Sequence, residues 1–310
     1  MTPRRKRLLI VVAGLLLVGV PADWWFLRES GAPKSTFTLD ADELRTLADA
    51  VPGPKVSALR MEHMAGFEFP GIAVVAGDSW AFTKMPVYAY QLVFEDGATA
   101  LIDTGMDEKT TRGEGGVFFD GESFGRVTAA MDKATFVVVT HEHYDHLGGV
   151  AAHPRLDALA GNVVRLTREQ LADPSKRKPL VFTEAQVGKL QTLGYERVVP
   201  VAPGVVVIRA AGHTPGMQMV YVRRADGEEY LFVSDVAWHR DNWVRVRERA
   251  RLVTQLFLGE DRDAVLAQLA AIKTLAEKNP KLHVVPGHDG VVMDELVAAK
   301  LIAEKFASAP

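Results

Sequence analysis

The 310-residue sequence contains no cysteine. That single absence excludes structural disulfides, thiolate metal ligands, a cysteine nucleophile and a cysteine-linked lipid anchor, so any metal has to be held by imidazole and carboxylate. A surplus of one charge is also missing: 36 basic residues face 39 acidic ones, for a net charge of −3. Nothing in that balance marks nucleic acid as a partner, and a small-molecule substrate is the expectation. Low-complexity segments and internal repeats are absent as well, which leaves solenoids and disordered arrays aside. What remains is ordinary globular composition, 48% hydrophobic and 24% charged, in a chain long enough for one substantial core.

Long apolar runs are scarce, with one exception near the start. Arg4, Arg5, Lys6 and Arg7 precede an unbroken apolar run from Leu8 to Val20, followed by Pro21, Ala22 and Asp23. This pattern reads as an export signal. The run is shorter than the roughly 20 residues that span a bilayer as a helix, which fits a cleaved signal peptide. Trp24, Trp25, Phe26 and Leu27 extend it and set two tryptophans where an aromatic belt would lie, which fits an uncleaved transmembrane anchor. Either way the rest of the chain is expected outside the cytoplasm, periplasmic or secreted. Residues 1–27 are therefore expected to be a signal peptide or membrane anchor, 28–35 a linker rich in Gly, Pro, Ser and charge, and 36–310 the folded domain.

Within that domain, Asp40 is placed to cap a short helix through Ala50. Apolar alternation and β-branched runs predict strands at Lys55 to Met61, Ile72 to Val75, Val87 to Phe94 and Thr99 to Ile102. A helical pattern from Ser123 to Lys133 leads to Phe136–Val139, a continuous apolar run that suits a buried strand. Further helices are expected near Arg168 to Ala172, Glu184 to Leu193 and Asp261 to Lys278. Strands are expected at Val198 to Val201, Val205 to Ala210, Met219 to Val222, Tyr230 to Val233 and His283 to Val285. The alternation of both types predicts one α/β domain with sheets inside and helices outside.

The most specific signal follows the buried strand directly: Thr140-His141-Glu142-His143-Tyr144-Asp145-His146. Imidazole and carboxylate are natural ligands for zinc and related divalent ions. Two histidines spaced by one residue can serve one metal while the Asp-His pair serves a second about 3.5–4 Å away. The competing reading is a solvated polar loop. It is the weaker one, because burying so many titratable groups beside an apolar strand without a metal is costly.

His-x-His-x-Asp-His after a strand resembles the hallmark of the metallo-β-lactamase superfamily, and the other motifs of that family follow in order. Asp103 in Leu101-Ile102-Asp103-Thr104-Gly105 resembles the aspartate that supports the metal loop. His213 in Gly212-His213-Thr214-Pro215-Gly216, Asp235 after Ser234, and His288 in Pro286-Gly287-His288-Asp289 resemble the remaining ligands. The resemblance implies an α/β fold of the αββα type, two mixed sheets flanked by helices. It implies a metallo-β-lactamase-like hydrolase domain holding two divalent metal ions, zinc first, with iron or manganese as alternatives. His141, His143 and His213 would hold the first metal, Asp145, His146 and His288 the second, and Asp235 both. Asp145 would also orient the hydroxide. Some family members place a Tyr or His just beyond the bridging carboxylate, and His239 is the candidate for that proton-donating role. His63 is a lesser candidate for the pocket mouth, in a short loop ahead of the metal motifs. His153 and His283 are expected to be ordinary surface or core histidines. Gly113-Glu114-Gly115-Gly116 and Gly121 read as a flexible loop near the rim.

Departures from relatives narrow the activity. The β-lactamase subclass that carries His-x-His-x-Asp-His lacks the bridging aspartate, so Asp235 argues against lactam hydrolysis. Diiron oxygen reductases of the family carry glutamate where this chain has His143. Many lactonases and thioesterases continue the third motif with a second histidine, where Met217 stands here. The leading expectation is hydrolysis of a small ester, lactone or thioester by metal-bound hydroxide. Phosphodiester hydrolysis, a mononuclear iron persulfide dioxygenase, and a non-catalytic metal-binding envelope protein are the alternatives.

Overall fold

A computed structural model describes residues 3–307. The chain opens with helix α1 (Pro3–Asp23), continued by one π-helical turn, Trp24–Arg28, onto the folded body. Asp40 caps α2 (Ala41–Ala48), its carboxylate accepting from the amides of Asp42 and Glu43. Of the expected linker 28–35, Arg28 closes the π-helical turn and 29–35 has neither helix nor strand, yet it is not free: Glu29 pairs with Arg251 and Arg262 on the body.

The first sheet is dominated by β1 (Val56–Pro70) and β2 (Phe82–Phe94), paired antiparallel from Val56–Phe94 to Pro70–Phe82. Both exceed the lengths expected from alternation. Register shifts at Val56/Ala58 and His63/Ala65 break the two-residue period that alternation depends on. The run Ile72–Val75 is not a strand. Gly71–Val74 forms a single helical turn, α3, whose first amides donate to the carbonyls of Ala81 and Ser79. Its β-branched side chains are used for burial rather than pairing, with Ile72, Val74 and Val75 all in the core.

β3 (Thr99–Ile102) pairs with β2, and α4 (Gly121–Met131) leads to β4 (Val137–Val138), parallel to β3. The short strand Phe118–Phe119 pairs with β1. Next comes α5 (Tyr144–Ala152), where sequence alone offered only a polar cluster. The segment Glu184–Leu193 divides: the helix ends at Leu190, and Gln191–Leu193 pairs with Leu166–Thr167. The second sheet holds β5 (Val198–Ala202), β6 (Val205–Arg209), β7 (Gln218–Arg223) and β8 (Glu229–Ser234). After α6 (Arg240–Arg245), α7 (Arg251–Val253) and α8 (Arg262–Lys278), β9 (Leu282–Pro286) joins it parallel to β8. Helix α9 (Gly290–Ala298), capped by Asp289, and β10 (Ala303–Glu304) close the fold. The strand orders are β10-β1-β2-β3-β4 and β9-β8-β7-β6-β5.

Alternation then builds three apolar layers. Val205 and Val207, Val220 and Val222, Tyr230 and Phe232 meet Leu59, Tyr90, Leu92 and Ile102 of the first sheet. Their neighbours Val206 and Ile208, Met219 and Tyr221, Leu231 and Val233 face α2 and α8 on the other side. Val87, Ala89, Leu101 and Val137 face α4 and α5. Helix, sheet, sheet, helix is the αββα sandwich that the motifs implied.

Candidate metal centre

Five strand ends meet at one edge of the sandwich. Asp103 follows β3, the histidine cluster begins just past β4, and His213 lies between β6 and β7. Asp235 follows β8 and His288 follows β9. Because β3 and β4, and β8 and β9, run parallel, their carboxyl ends deliver residues far apart in sequence to the same edge.

Two of these turns are left-handed at residues other than glycine: Asp103 has φ 60° and Ser234 φ 44°. Such backbone costs about 1–3 kcal/mol each and persists only when its surroundings hold it. Thr140 does the holding. Its amide donates to Asp103 Oδ1 at 2.6 Å, its hydroxyl donates to Asp103 Oδ2 at 2.8 Å, and the Ser234 hydroxyl lies 2.8 Å from it. One threonine thereby stitches the two sheets together beneath the site.

His141, His143, His213 and Asp235 each bring a ligand atom within 4.8 Å of one another; Asp145, His146, Asp235 and His288 do the same. Asp235 belongs to both groups through different oxygens. Its Oδ2 lies 3.3 Å from His213 Nε2 and 3.7 Å from His141 Nε2, while its Oδ1 lies 3.1 Å from His288 Nε2 and 3.3 Å from His146 Nε2. Asp145 Oδ2 stands 3.6 Å from His146 Nε2 and 3.5 Å from His288 Nε2.

The outer sides of these rings are fixed. His213 Nδ1 meets Glu260 Oε1 at 2.5 Å, and Glu260 is held in turn by Arg249 Nη2 at 2.5 Å, with both side chains out of solvent. His146 Nδ1 meets Asp103 at 2.8 Å, and His288 Nδ1 donates to the Pro86 carbonyl at 2.9 Å. The inward atoms are different: His146 Nε2 and Asp235 Oδ1 are buried without a hydrogen-bond partner. Orphaned polar atoms are expensive inside a protein. Imidazoles turned by outer partners so that free nitrogens and one shared carboxylate face a common space form a donor set that fits divalent cations.

Burial holds His141 and His143 well below the ordinary imidazole value, so they are neutral as ligands must be. At His146, His213 and His288, by contrast, burial is outweighed by the neighbouring carboxylates, Asp235 foremost among those they share, and these imidazoles are raised above the ordinary value. So much negative charge facing inward suits a bound cation. Burial opposes ionisation of Asp235, yet His288, His146 and His141 keep its carboxyl well below the usual carboxylate range. Glycine is required at one neighbour: a Cβ on Gly287 would come 2.4 Å from Asp235 Oδ1. Glu142, inside the cluster, faces away from the other members. It accepts from Thr214 Oγ1 at 2.8 Å and the Gly216 amide at 3.2 Å, tying the His141 loop to the His213 loop.

All seven residues expected to ligate are brought together, but His239 is not with them. Its Nδ1 accepts from the Asp241 amide at 3.2 Å, capping α6, and its Nε2 lies 3.4 Å from Asp289. The chain turns at Trp238, which takes the inward position, and the next residue is carried outside. His63 is likewise in strand β1, not a loop, with its ring against Tyr88 and Phe118. His153 sits against the Thr128 carbonyl and His283 pairs with Glu228, both ordinary.

Three features lay beyond sequence reasoning. Trp238 donates its indole N–H to Asp235 Oδ2 at 2.7 Å. The Arg249–Glu260 pair behind His213 had no local signal. Above the cluster, finally, lies a cavity of about 820 Å³ with His143, Asp145, Asp235 and His288 at its floor. Its walls are mainly apolar and include Phe67, Phe69, Ile72, Leu252 and Leu258, with Tyr144 beside the floor. Glu114, from the expected rim loop, also lines it.

The sequence profile of the metallo-beta-lactamase superfamily matches residues 83–288, more than half of the chain, and the protein belongs to that superfamily. It is a metallo-hydrolase of the αββα fold. The N-acyl homoserine lactonase of Bacillus thuringiensis subsp. kurstaki is 24% identical over 222 residues, spanning 66% of this chain and 82% of that protein. The Bacillus cereus N-acyl homoserine lactonase is 23% identical over the same shares. A solved N-acyl homoserine lactone hydrolase, with N-hexanoyl-L-homoserine bound at its catalytic metal centre, superposes with TM-score 0.60 at 19% identity. That match covers 78% of this chain and 96% of the other, and the likeness is one of fold.

Proposed function

We propose that the protein hydrolyses a small carboxylic ester, a lactone carrying an acyl chain first among them, at a dinuclear metal centre. The observation that carries this reading is the pair of buried ligand groups sharing Asp235 at the floor of a mainly apolar cavity. His141, His143 and His213 would hold one cation, Asp145, His146 and His288 the other, and Asp235 would bridge them; zinc suits the nitrogen-rich donor set. Two such cations supply hydroxide at neutral pH and polarise the ester carbonyl.

The chain's own groups do the rest. Asp145, the ligand-group carboxylate most open to the cavity, accepts a hydrogen bond from the nucleophile and sets its direction. Trp238 keeps Asp235 turned toward both ligand groups. The apolar walls exclude water and receive an acyl chain. In the reaction hydroxide adds to the carbonyl carbon, the C–O bond of the ring breaks, and the proton brought in by the hydroxide passes from the new carboxyl group to the departing alkoxide, giving the hydroxy acid as its carboxylate. His239 is engaged as the cap of α6 and does not line the cavity. Tyr144 lines the cavity beside the floor, its phenol kept protonated by burial and by Asp145, and we assign it the contact with the leaving oxygen.

The relatives named as N-acyl homoserine lactonases support a lactone as the first substrate to try. A panel of acyl lactones, thioesters and phosphodiesters, read by product mass, tests the reading. Ring-opened hydroxy acid from a lactone is the expected result, and turnover of phosphodiesters alone would overturn it. The same proposal puts the chain outside the cytoplasm, held by the apolar N-terminal segment 1–27, with 36–310 as the catalytic domain.

A further inference from the structure

The apolar helix ends on the lip of the cavity. Its last turn, Trp24–Arg28, packs against α3 and α7. The Arg251 guanidinium lies 3.9 Å from the centre of the Trp25 ring and pairs with Glu29. The Leu27 carbonyl accepts from the Gly77 amide at 2.9 Å, and Leu27 itself lines the cavity.

The two elements that receive this turn also carry bare apolar side chains. Trp80 and Phe82 follow α3, and Leu256 and Phe257 follow α7 in the π-helical turn Thr254–Leu258. Phe82, Leu256 and Phe257 are 70%, 68% and 76% exposed, and Trp80 is 59% exposed. Single exposed apolar residues are commonplace, but Trp80 and Phe257 both line the cavity, exposed Phe82 and Leu256 stand beside them in the chain, and such a group marks an interaction surface. Exposed Lys178 also lines the cavity, and exposed Lys84 follows Phe82 by two residues on β2. Residues Ile10–Arg28, with mean hydropathy 2.0 and none of the window buried, are long and apolar enough to cross a membrane.

We propose that the mouth of the cavity docks on a lipid bilayer, and that the substrate is an amphiphile whose acyl chain enters from that bilayer while its ester reaches the ligand cluster. A helix with Arg4, Arg5 and Arg7 on one side of the membrane sets Trp24 and Trp25 at the opposite interface. Leu27 lies within about one helical turn, roughly 5 Å, of those tryptophans, so the lip of the cavity stands at headgroup depth. Exposed Trp and Phe favour that depth, and lysines meet anionic headgroups there. Trp80 and Phe257 are both exposed and part of the cavity lining, and the apolar wall continues inward through Phe69 to Phe67. An acyl chain therefore passes from lipid to the floor without crossing water. The substrate half of this inference rests on the ester-hydrolase reading; the docking half does not.

The test uses the full chain in lipid nanodiscs, and the lack of cysteine makes single-site labelling clean. An environment-sensitive fluorophore is placed at Phe82→Cys or Leu256→Cys. The control is Ala225→Cys, in the turn between β7 and β8, at the far end of those strands from Asp235. Quenchers on the lipid acyl chains should dim the first two labels and spare the third. Equal access of aqueous iodide to all three would overturn the docking face, as would a mature chain trimmed ahead of Trp24 and free in solution. In a second arm, Phe82→Asp with Leu256→Asp should leave hydrolysis of a short-chain, water-soluble lactone within about twofold. The same pair should cut hydrolysis of a long-chain lactone dissolved in the bilayer at least about tenfold. Unchanged long-chain turnover would overturn the entry route. Labels that lie in lipid on a chain hydrolysing neither lactone would uphold docking and overturn the hydrolase reading.

Discussion

The two sides of the cavity are built differently. The floor is made of strand ends, and its inward rings are fixed from behind, His213 by Glu260, His146 by Asp103 and His288 by the Pro86 carbonyl. The facing walls combine the end of β1, which carries Phe67 and Phe69, with short turns around α3 and α7, and their apolar side chains grade into exposed ones at the rim. The difference teaches a division of labour. Chemistry needs atoms held to a fraction of an ångström, which a twisted pair of sheets supplies, whereas substrate fit needs an apolar surface that can adapt.

Breaking the floor should therefore cost far more than altering the walls. Asp235→Asn removes the charge shared by both ligand groups, and turnover is expected to fall by about 10³-fold or more with loss of bound metal, read by kinetics beside elemental analysis. Glu260→Gln attacks the same side one layer back. It leaves the buried Arg249 without its counter-charge and His213 with a neutral acceptor in place of a carboxylate, so metal affinity should drop about 10–100-fold and stability should fall measurably. Tyr144→Phe touches the reacting end alone; kcat should fall about tenfold or more with metal content unchanged.

The walls should respond in KM. Phe69→Ala is expected to raise KM several-fold for a long acyl lactone and little for a short one, at constant kcat, since each buried methylene contributes about 0.8 kcal/mol. Equal losses for both chain lengths would move the acyl group elsewhere. His239→Ala should be the mildest change. As a helix cap it should cost about 1 kcal/mol of stability and leave kcat within twofold, with His239→Asn restoring the melting temperature. A large fall in kcat would return His239 to the catalytic cast.

The same division governs what could be read from sequence. Residues of the floor follow strands in fixed local patterns, so Asp103, the His141–His146 cluster, His213, Asp235 and His288 were legible with their order. Thr99–Ile102 and Arg168–Ala172 came out to the residue because nothing tertiary competes with their local preference. Ile72–Val75 did not, because its β-branched side chains are spent on burial in a turn. The length of β1 was hidden by its bulges. The placing of His239 was not legible because the chain turns at Trp238, which takes the inward position, and His239 is used as the cap of α6. Arg249 and Glu260 meet only in space, and the apolar walls are assembled from one strand end and several separate turns with no shared pattern, so neither left a mark that a single sequence could reveal.

The most direct measurement is metal content joined to activity on the intact chain. Two zinc ions per chain are expected, with hydrolysis of an acyl lactone lost on chelation and recovered when zinc is restored. One iron per chain with oxygen uptake, or undiminished lactone hydrolysis by the metal-free protein, would contradict the dinuclear hydrolase.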